Sequence, residues 1–144
     1  MMLALAQQII EGAGDAIIFA DGEGKIRLWN AAAERVFGFT AAEALGCSLD
    51  LIVPEKHRPR HWEGYTRVMQ TGETKYGGEL LAVPAIRRDG SRISIEFTVT
   101  LVWDDDGAVQ GIAAIIRDVS ARREAETSLR QRVRELEQGT AGGA

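Results

Sequence analysis

Alternation of apolar and polar positions marks the last third of the chain as β structure. The clearest run has an apolar residue at every second position: Ile93, Ile95, Phe97, Val99 and Leu101. Such a period of two buries one face of a strand and leaves the other in water. The pattern predicts three strands, at residues 76–86, 91–103 and 108–117. Asp89-Gly90 and Asp106-Gly107 lie between them and are strong hairpin signals.

The first half of the chain predicts two short strands among helices. We expect a helix, two strands and two further helices, in that order, at residues 3–11, 15–20, 25–29, 31–37 and 40–46. Asn30 is a suitable N-cap for the second of these helices. The sequence from Thr40 to Glu43 has the form of a capping box, which begins the third. Pro84 indicates an edge strand or a bulge in the later group, because proline has no amide hydrogen to donate.

A further helix, at about residues 60–70, carries the candidate binding residues. His61, Tyr65 and Val68 fall on one stripe of it, and Gly72 ends it. The order of elements is therefore two strands, a block of helices and three strands. This order predicts an α+β fold in which a five-stranded antiparallel sheet carries the helices on one face. A cavity between helices and sheet is the natural ligand site of such a design.

Residues 119–138 predict a charged helix that extends beyond the last strand. Its apolar positions Leu129, Val133 and Leu136 have the 4-3 spacing of a short coiled-coil seam. A helix that is polar on most faces needs a partner or many ion pairs, so we expect a homodimer. The N-terminal helix offers further apolar residues to the same partner: Leu3, Ile9 and Ile10.

The overall composition is that of a globular protein with an acidic balance. The chain has 144 residues, of which 45% are hydrophobic and 26% charged, and its net charge is −4. This charge argues against a nucleic-acid partner, although a local basic patch stays open. The lone cysteine, Cys47, excludes an internal disulfide framework and makes a reducing compartment the default. The N-terminal residues have the pattern of neither a signal peptide nor a membrane span, so we expect a cytoplasmic protein without a membrane partner.

Four segments give the chain a resemblance to PAS domains: Asp15-Ala-Ile-Ile-Phe-Ala-Asp-Gly, Asn30-Ala-Ala-Ala-Glu-Arg-Val-Phe-Gly, Arg88-Asp89-Gly90 and Arg117-Asp118-Val119-Ser120. The resemblance covers roughly residues 10–122. It implies a sensor of small molecules, redox state or light, or a module that pairs with other proteins, including a downstream signalling protein. We therefore expect an N-terminal helix, a PAS sensor domain, a signalling helix and a disordered tail, at residues 1–12, 13–118, 119–138 and 139–144.

The helix with His61 is similar, in a narrower way, to the haem-binding helix of FixL-type oxygen-sensing PAS domains. The residues that carry this likeness are Pro54-Glu55, Arg58, Arg60-His61 and Tyr65. The resemblance implies that His61 is the proximal ligand of haem b iron, with Arg67 and Lys75 near the propionates and Phe97 and Val99 on the distal side. Leu81 stands where the family has an arginine that hydrogen-bonds oxygen, and Tyr76 is a candidate to supply a hydroxyl instead. A diatomic gas or a change of redox state is then the expected stimulus.

Other interpretations of the same residues stay open. His61 can be an ordinary packed histidine, and the domain can bind another apolar ligand or serve as a ligand-free dimerisation module. His57 and His61 have zinc-like spacing, but no third ligand is evident and Pro59 lies between them. A flavin-adduct sensor is disfavoured because Cys47 lies two positions before the reactive place, which Leu49 holds. No phosphate-cradling glycine loop, nucleophile elbow or metal triad is present in the sequence, which indicates that the chain is not an enzyme.

Overall fold

A computed structural model describes residues 2–74 and 79–142 of the chain. Its α-helices are α1 (Met2–Gly12), α2 (Ala31–Phe37), α3 (Ala41–Ala44), α4 (Arg58–Thr71) and α5 (Ser120–Gly142). Its strands are β1 (Ala16–Asp21), β2 (Ile26–Trp29), β3 (Leu81–Ile86), β4 (Arg92–Trp103) and β5 (Val109–Asp118). Short 3₁₀ turns at Leu49–Leu51 and Glu55–His57 precede α4.

The strands form one antiparallel sheet in the order β2-β1-β5-β4-β3, which confirms the predicted architecture. The hairpin turns predicted at Gly90 and Gly107 are present, and both glycines have the positive φ that such turns require. Pro84 lies on the edge strand β3, as predicted. The first and last strands, β1 and β5, are neighbours inside the sheet. They pair along the whole of β1, from Ala16 opposite Ile116 to Asp21 opposite Gly111.

Strand β3 is shorter than predicted. The sequence predicts a strand from residue 76, but β3 begins at Leu81, opposite Phe97 of β4. Residues 79–80 precede the strand without belonging to it, and 76–78 lie outside the described residues. Beyond Phe97, the described residues that pair with β4 all belong to β5, so in this part of the structure the far half of β4 forms one edge of the sheet.

The helices cover one face of the sheet and bury a single apolar core. Strand positions facing them alternate with positions facing away, and Ile18, Ile95 and Ile116 supply the sheet side of this core. Phe37 of α2 is fully buried against them, and Trp29 packs on Phe37 with their ring centroids 5.5 Å apart. The core is therefore made of side chains from both halves of the chain.

Capping groups set the helix ends where the sequence predicts them. The Asn30 side chain accepts a hydrogen bond from the Ala33 amide at the start of α2. Thr40 and Glu43 form the reciprocal capping box of α3. Gly72, with φ of 68°, ends α4 in the left-handed conformation.

Helix α5 extends further than the sequence predicts. It continues through residues 139–142, so the predicted disordered tail begins inside the helix, and residues 143–144 lie outside the described ones. Every residue from 121 to 139 is exposed, which means that this helix leaves the domain surface. Among the described helices, none has both the length and the apolar character needed to cross a bilayer.

Candidate functional site

Three neighbouring aromatic side chains fix α4 on the sheet domain. The ring centroids of His61 and Trp62 are 4.7 Å apart, those of Trp62 and Tyr65 5.4 Å, and those of His61 and Tyr65 5.8 Å. His61 and Tyr65 are one helical turn apart and share a face, as the sequence predicts. The candidate ligand His61 therefore packs against two aromatic rings of its own helix.

Tyr65 joins α4 to the end of β1. Its ring is 7% exposed, and its hydroxyl donates toward the carbonyl oxygens of Asp21, at 2.6 Å, and Ala20, at 3.2 Å. Burial and the nearby Asp21 charge raise the pKa of this phenol, so it stays a neutral donor. The contact fixes the position of the helix that carries His61.

Replacement of Tyr65 by phenylalanine is expected to loosen this attachment. The Tyr65→Phe variant keeps the ring but leaves the two carbonyl oxygens without their donor, which costs about 1–2 kcal/mol of unfolding free energy. Urea denaturation followed by circular dichroism measures this loss. Thr71→Val removes an exposed hydroxyl on the same helix and is the control, with a change below about 0.5 kcal/mol. Equal stability of Tyr65→Phe and the wild type would contradict the assigned role.

Trp62 has a structural role that the sequence did not indicate. We expected it to cover surface, but its ring lies against Gly24 in the β1–β2 turn, where an added Cβ would be 2.1 Å from a ring carbon. Its indole Nε1 donates to Asp50 Oδ1 at 2.7 Å. Gly24 has a φ of 79°, so glycine suits both the positive φ of the turn and the close approach of the Trp62 ring. Trp62 therefore holds the start of α4 on the first hairpin.

His61 has a buried polar atom without a partner. Its Nδ1 is buried and makes no hydrogen bond within the described residues. Burial lowers the pKa of the imidazole, and the charge of Asp50 opposes this effect only in part. The ring is therefore neutral at pH 7, which is the state that binds a metal ion. Ordinary buried histidines satisfy their nitrogens, so this atom calls for an explanation.

The proposed distal residues lie on the helix-covered face of the sheet. Leu81 is directly opposite Phe97 in the register of β3 and β4, and Val99 is two residues further on the same face. All three are half-buried. Val83, also on this face, keeps 39% of its surface exposed. The helices therefore leave the apolar face incompletely covered near the β3 edge.

Of the two residues proposed to lie near the haem propionates, the structure describes only Arg67. Arg67 pairs with Glu63 at 3.4 Å, and its side chain is 52% exposed. Lys75 and Tyr76 lie outside the described residues. Two clefts lined by described residues lie on α5, and neither is the cavity expected between helices and sheet. The described part of the chain has no cluster of three His, Cys, Asp or Glu side chains suited to a bare metal ion, and the Nε2 of His57 instead lies 3.5 Å from Arg92.

Short contacts connect the sheet to the start of α5. The Val119 amide donates to the Ser94 carbonyl at 2.8 Å, and the Ser94 amide donates to Ser120 Oγ at 2.9 Å. Arg122 of α5 forms an ion pair with Glu96 of β4. These contacts join β4 directly to the first turn of the helix.

A second ion pair, between Arg117 and Asp15, lies close to this junction. Arg117, at the end of β5, donates two hydrogen bonds to the Asp15 carboxylate, from Nη2 at 3.1 Å and from Nε at 3.2 Å. Arg117 is also opposite Glu96 across the sheet. These contacts fix the segment at which β5 passes into α5.

The family described as the PAS fold matches residues 10–124 of the sequence. The chain belongs to the PAS fold family. Sensor protein FixL of Bradyrhizobium diazoefficiens is 28% identical over 130 residues, which are 90% of this PAS chain and 25% of FixL. Oxygen sensor protein DosP of Escherichia coli is 27% identical over 107 residues, or 74% of this chain and 13% of DosP.

A solved PAS domain confirms the fold. The PAS domain of a Colwellia psychrerythraea protein superposes with a TM-score of 0.71 at 17% identity, covering 84% of this chain and 99% of that one. The chain spans a quarter or less of the length of FixL and DosP. The comparisons thus establish a PAS sensor-type domain related to parts of larger signal-transduction proteins, as the four sequence segments predicted.

Proposed function

We propose that this PAS domain binds haem b through His61 and senses a diatomic gas or a redox state. The observation that carries the proposal is the half-buried His61 imidazole, neither of whose ring nitrogens bonds a described residue. A neutral imidazole on a well-anchored helix is the ligand that haem iron takes. The likeness of residues 54–65 to a haem-binding helix and the relationship to an oxygen sensor support the same conclusion.

The residues that would surround the group are apolar on the sheet side. Leu81, Phe97 and Val99 would contact the flat macrocycle and exclude water from it. When bound, haem supplies an iron atom whose open coordination position takes a small gas molecule. None of these three side chains carries a hydrogen-bond donor, so they give bound oxygen no selective stabilisation. Carbon monoxide, nitric oxide and redox changes are therefore proposed as stimuli in addition to oxygen.

Haemin titration of the purified protein tests this proposal. The wild type is expected to develop an intense Soret band that saturates at one haem per chain, because His61 supplies the axial ligand. His61→Ala removes that ligand and is expected to weaken binding about tenfold or more. His57→Ala is the matched control, since His57 lies one helical turn earlier and contacts Arg92 instead.

Two results would contradict haem binding through His61. One is a wild-type protein that shows no saturable Soret band, and the other is a His61→Ala variant that binds as tightly as the wild type. In either case the half-exposed apolar face near Val83 favours another apolar ligand. Native mass spectrometry then separates a bound apolar compound from a ligand-free dimerisation module.

We also propose that α5 passes the signal to a partner chain and that the domain itself catalyses no reaction. Leu129, Val133 and Leu136 are 64%, 47% and 71% exposed and lie on one side of the helix. Apolar residues at 4-3 spacing are stabilised by a second helix, so a homodimer through α5 and a downstream signalling protein are the proposed partners. A ligand that favours one position of β4 would shift the population of α5 orientations.

A further inference from the structure

A cleft of about 640 Å³ lies between the edge of the sheet and the first turns of α5. Arg92 and Ser94 of β4 line one wall, and Ser120, Arg123, Glu124 and Thr127 of α5 line the other. The walls meet where the Ser94 amide donates to Ser120 Oγ. The cleft is thus built from the two elements whose relative position carries the proposed signal.

Two arginines face this cleft without a carboxylate partner among the described residues. In that part of the chain, the one contact of the Arg92 side chain is with His57, at 3.5 Å, and it supplies no negative charge. Arg123 has no side-chain partner among residues 2–74 and 79–142. By contrast, Arg122, one residue earlier, pairs with both Glu96 and Glu126. Two like charges in one cleft repel each other unless an anion lies between them.

The rest of the lining also favours an anion. Helix α5 has no acidic residue in its first turn, so the partial positive charge of its N-terminus is only partly offset, by the Asp118 carboxylate that caps the Ser120 amide. Thr127 offers a hydroxyl that bonds no described residue. Among the described lining residues, Glu124 is the one carboxylate, and no ion pair joins it to either arginine. The two guanidinium groups therefore outweigh it.

We propose that this cleft binds a phosphate group, either as inorganic phosphate or on a small phosphorylated metabolite. Guanidinium groups recognise phosphate oxygens through paired charge-assisted hydrogen bonds, and the serine and threonine hydroxyls add further donors. The lining residues that the structure describes include no aromatic side chain on which a nucleobase would stack. The ligand class is therefore a compact phosphate and not a nucleotide held by its base.

Phosphate in this cleft would act on the signalling junction. It would bridge Arg92 of the sheet and Arg123 of the helix, and so hold α5 in its present orientation against β4. A ligand that binds one orientation better than another shifts the population toward it. The site uses none of the residues proposed to bind haem, so the domain would combine two independent inputs at one output helix.

Titration of the haem-free protein tests the site. Inorganic phosphate and glycerol 3-phosphate are added at constant ionic strength while ¹H–¹⁵N spectra are recorded. The Ser94 and Ser120 amides are expected to shift saturably. Arg92→Gln and Arg123→Gln each remove one charged contact and are expected to weaken binding about tenfold. Arg132→Gln, on the same helix but outside the cleft, is expected to bind like the wild type.

The pattern of results decides between the sources of phosphate. Tighter binding of glycerol 3-phosphate supports a phosphorylated metabolite, and equal affinity supports inorganic phosphate. The proposal is overturned by shifts that do not saturate, by equal shifts with chloride, or by an equal loss in Arg132→Gln. Because all three arginines are exposed, each variant is expected to fold, and thermal unfolding verifies this.

Discussion

The Gly111→Ala substitution is expected to destabilise the protein by about 3 kcal/mol or more. A Cβ at Gly111 would lie 2.1 Å from the carbonyl oxygen of Ala20 and 2.6 Å from a ring carbon of Phe19. Both obstacles belong to β1, which pairs with β5 at the centre of the sheet. Relief requires the two central strands to separate, because the oxygen is backbone. Urea denaturation measures the loss.

Gly64→Ala is the control for this substitution. Gly64 lies in α4, and an added Cβ there would meet nothing within 4 Å. Alanine is the better helix former, so this variant is expected to be more stable by about 0.5–1 kcal/mol. Similar stability of the Gly111→Ala and wild-type proteins would mean that β1 and β5 do not pair in this register.

The second large effect is expected at Asn30. Its side chain is 1% exposed and makes four hydrogen bonds to backbone groups of three segments. The amide oxygen accepts from Ile17 and Ala33, at 2.9 and 3.0 Å, and the amide nitrogen donates to Ile10 and Asp15, at 2.8 and 3.1 Å. Asn30→Ala leaves these buried groups unsatisfied and is expected to cost about 3 kcal/mol.

Thr40→Ala separates capping from burial in this test. Thr40 also caps a helix, but its bonds are exposed, so its loss is expected to cost about 1 kcal/mol. Denaturation of both variants in urea gives the comparison. Equal costs would show that Asn30 acts only as a helix cap and does not join α1 and β1 to α2.

The strands and turns were predictable because their signals are local. The period of two in β4 identified its buried face, and Asp89-Gly90 and Asp106-Gly107 identified the turns. Strands β1 and β5 pair although they are far apart in the sequence and no turn joins them, so no local signal predicts this pairing. The late start of β3, at Leu81, has the same cause, since nothing in the sequence shows how far along β4 this pairing extends.

The candidate site was predictable only in the part that one helix determines. Helical periodicity placed His61 and Tyr65 on one face. The role of Trp62 depends on where the β1–β2 turn places Gly24, which is a tertiary relationship. The pairing of Arg67 with Glu63 has the i, i+4 spacing that predicts such contacts, so that signal was present in the sequence. For Asn30, the sequence indicated the cap but none of its three other bonds.

The His61 imidazole is the proposed iron ligand. Resonance Raman spectroscopy of the ferrous, haem-reconstituted protein tests this directly, since an iron–imidazole stretching band shifts when histidine is labelled with ¹⁵N. The band is expected in the wild type and in His57→Ala, and it is expected to be lost in His61→Ala. Absence of the band from the wild type, or its persistence in His61→Ala, would rule out iron ligation by His61.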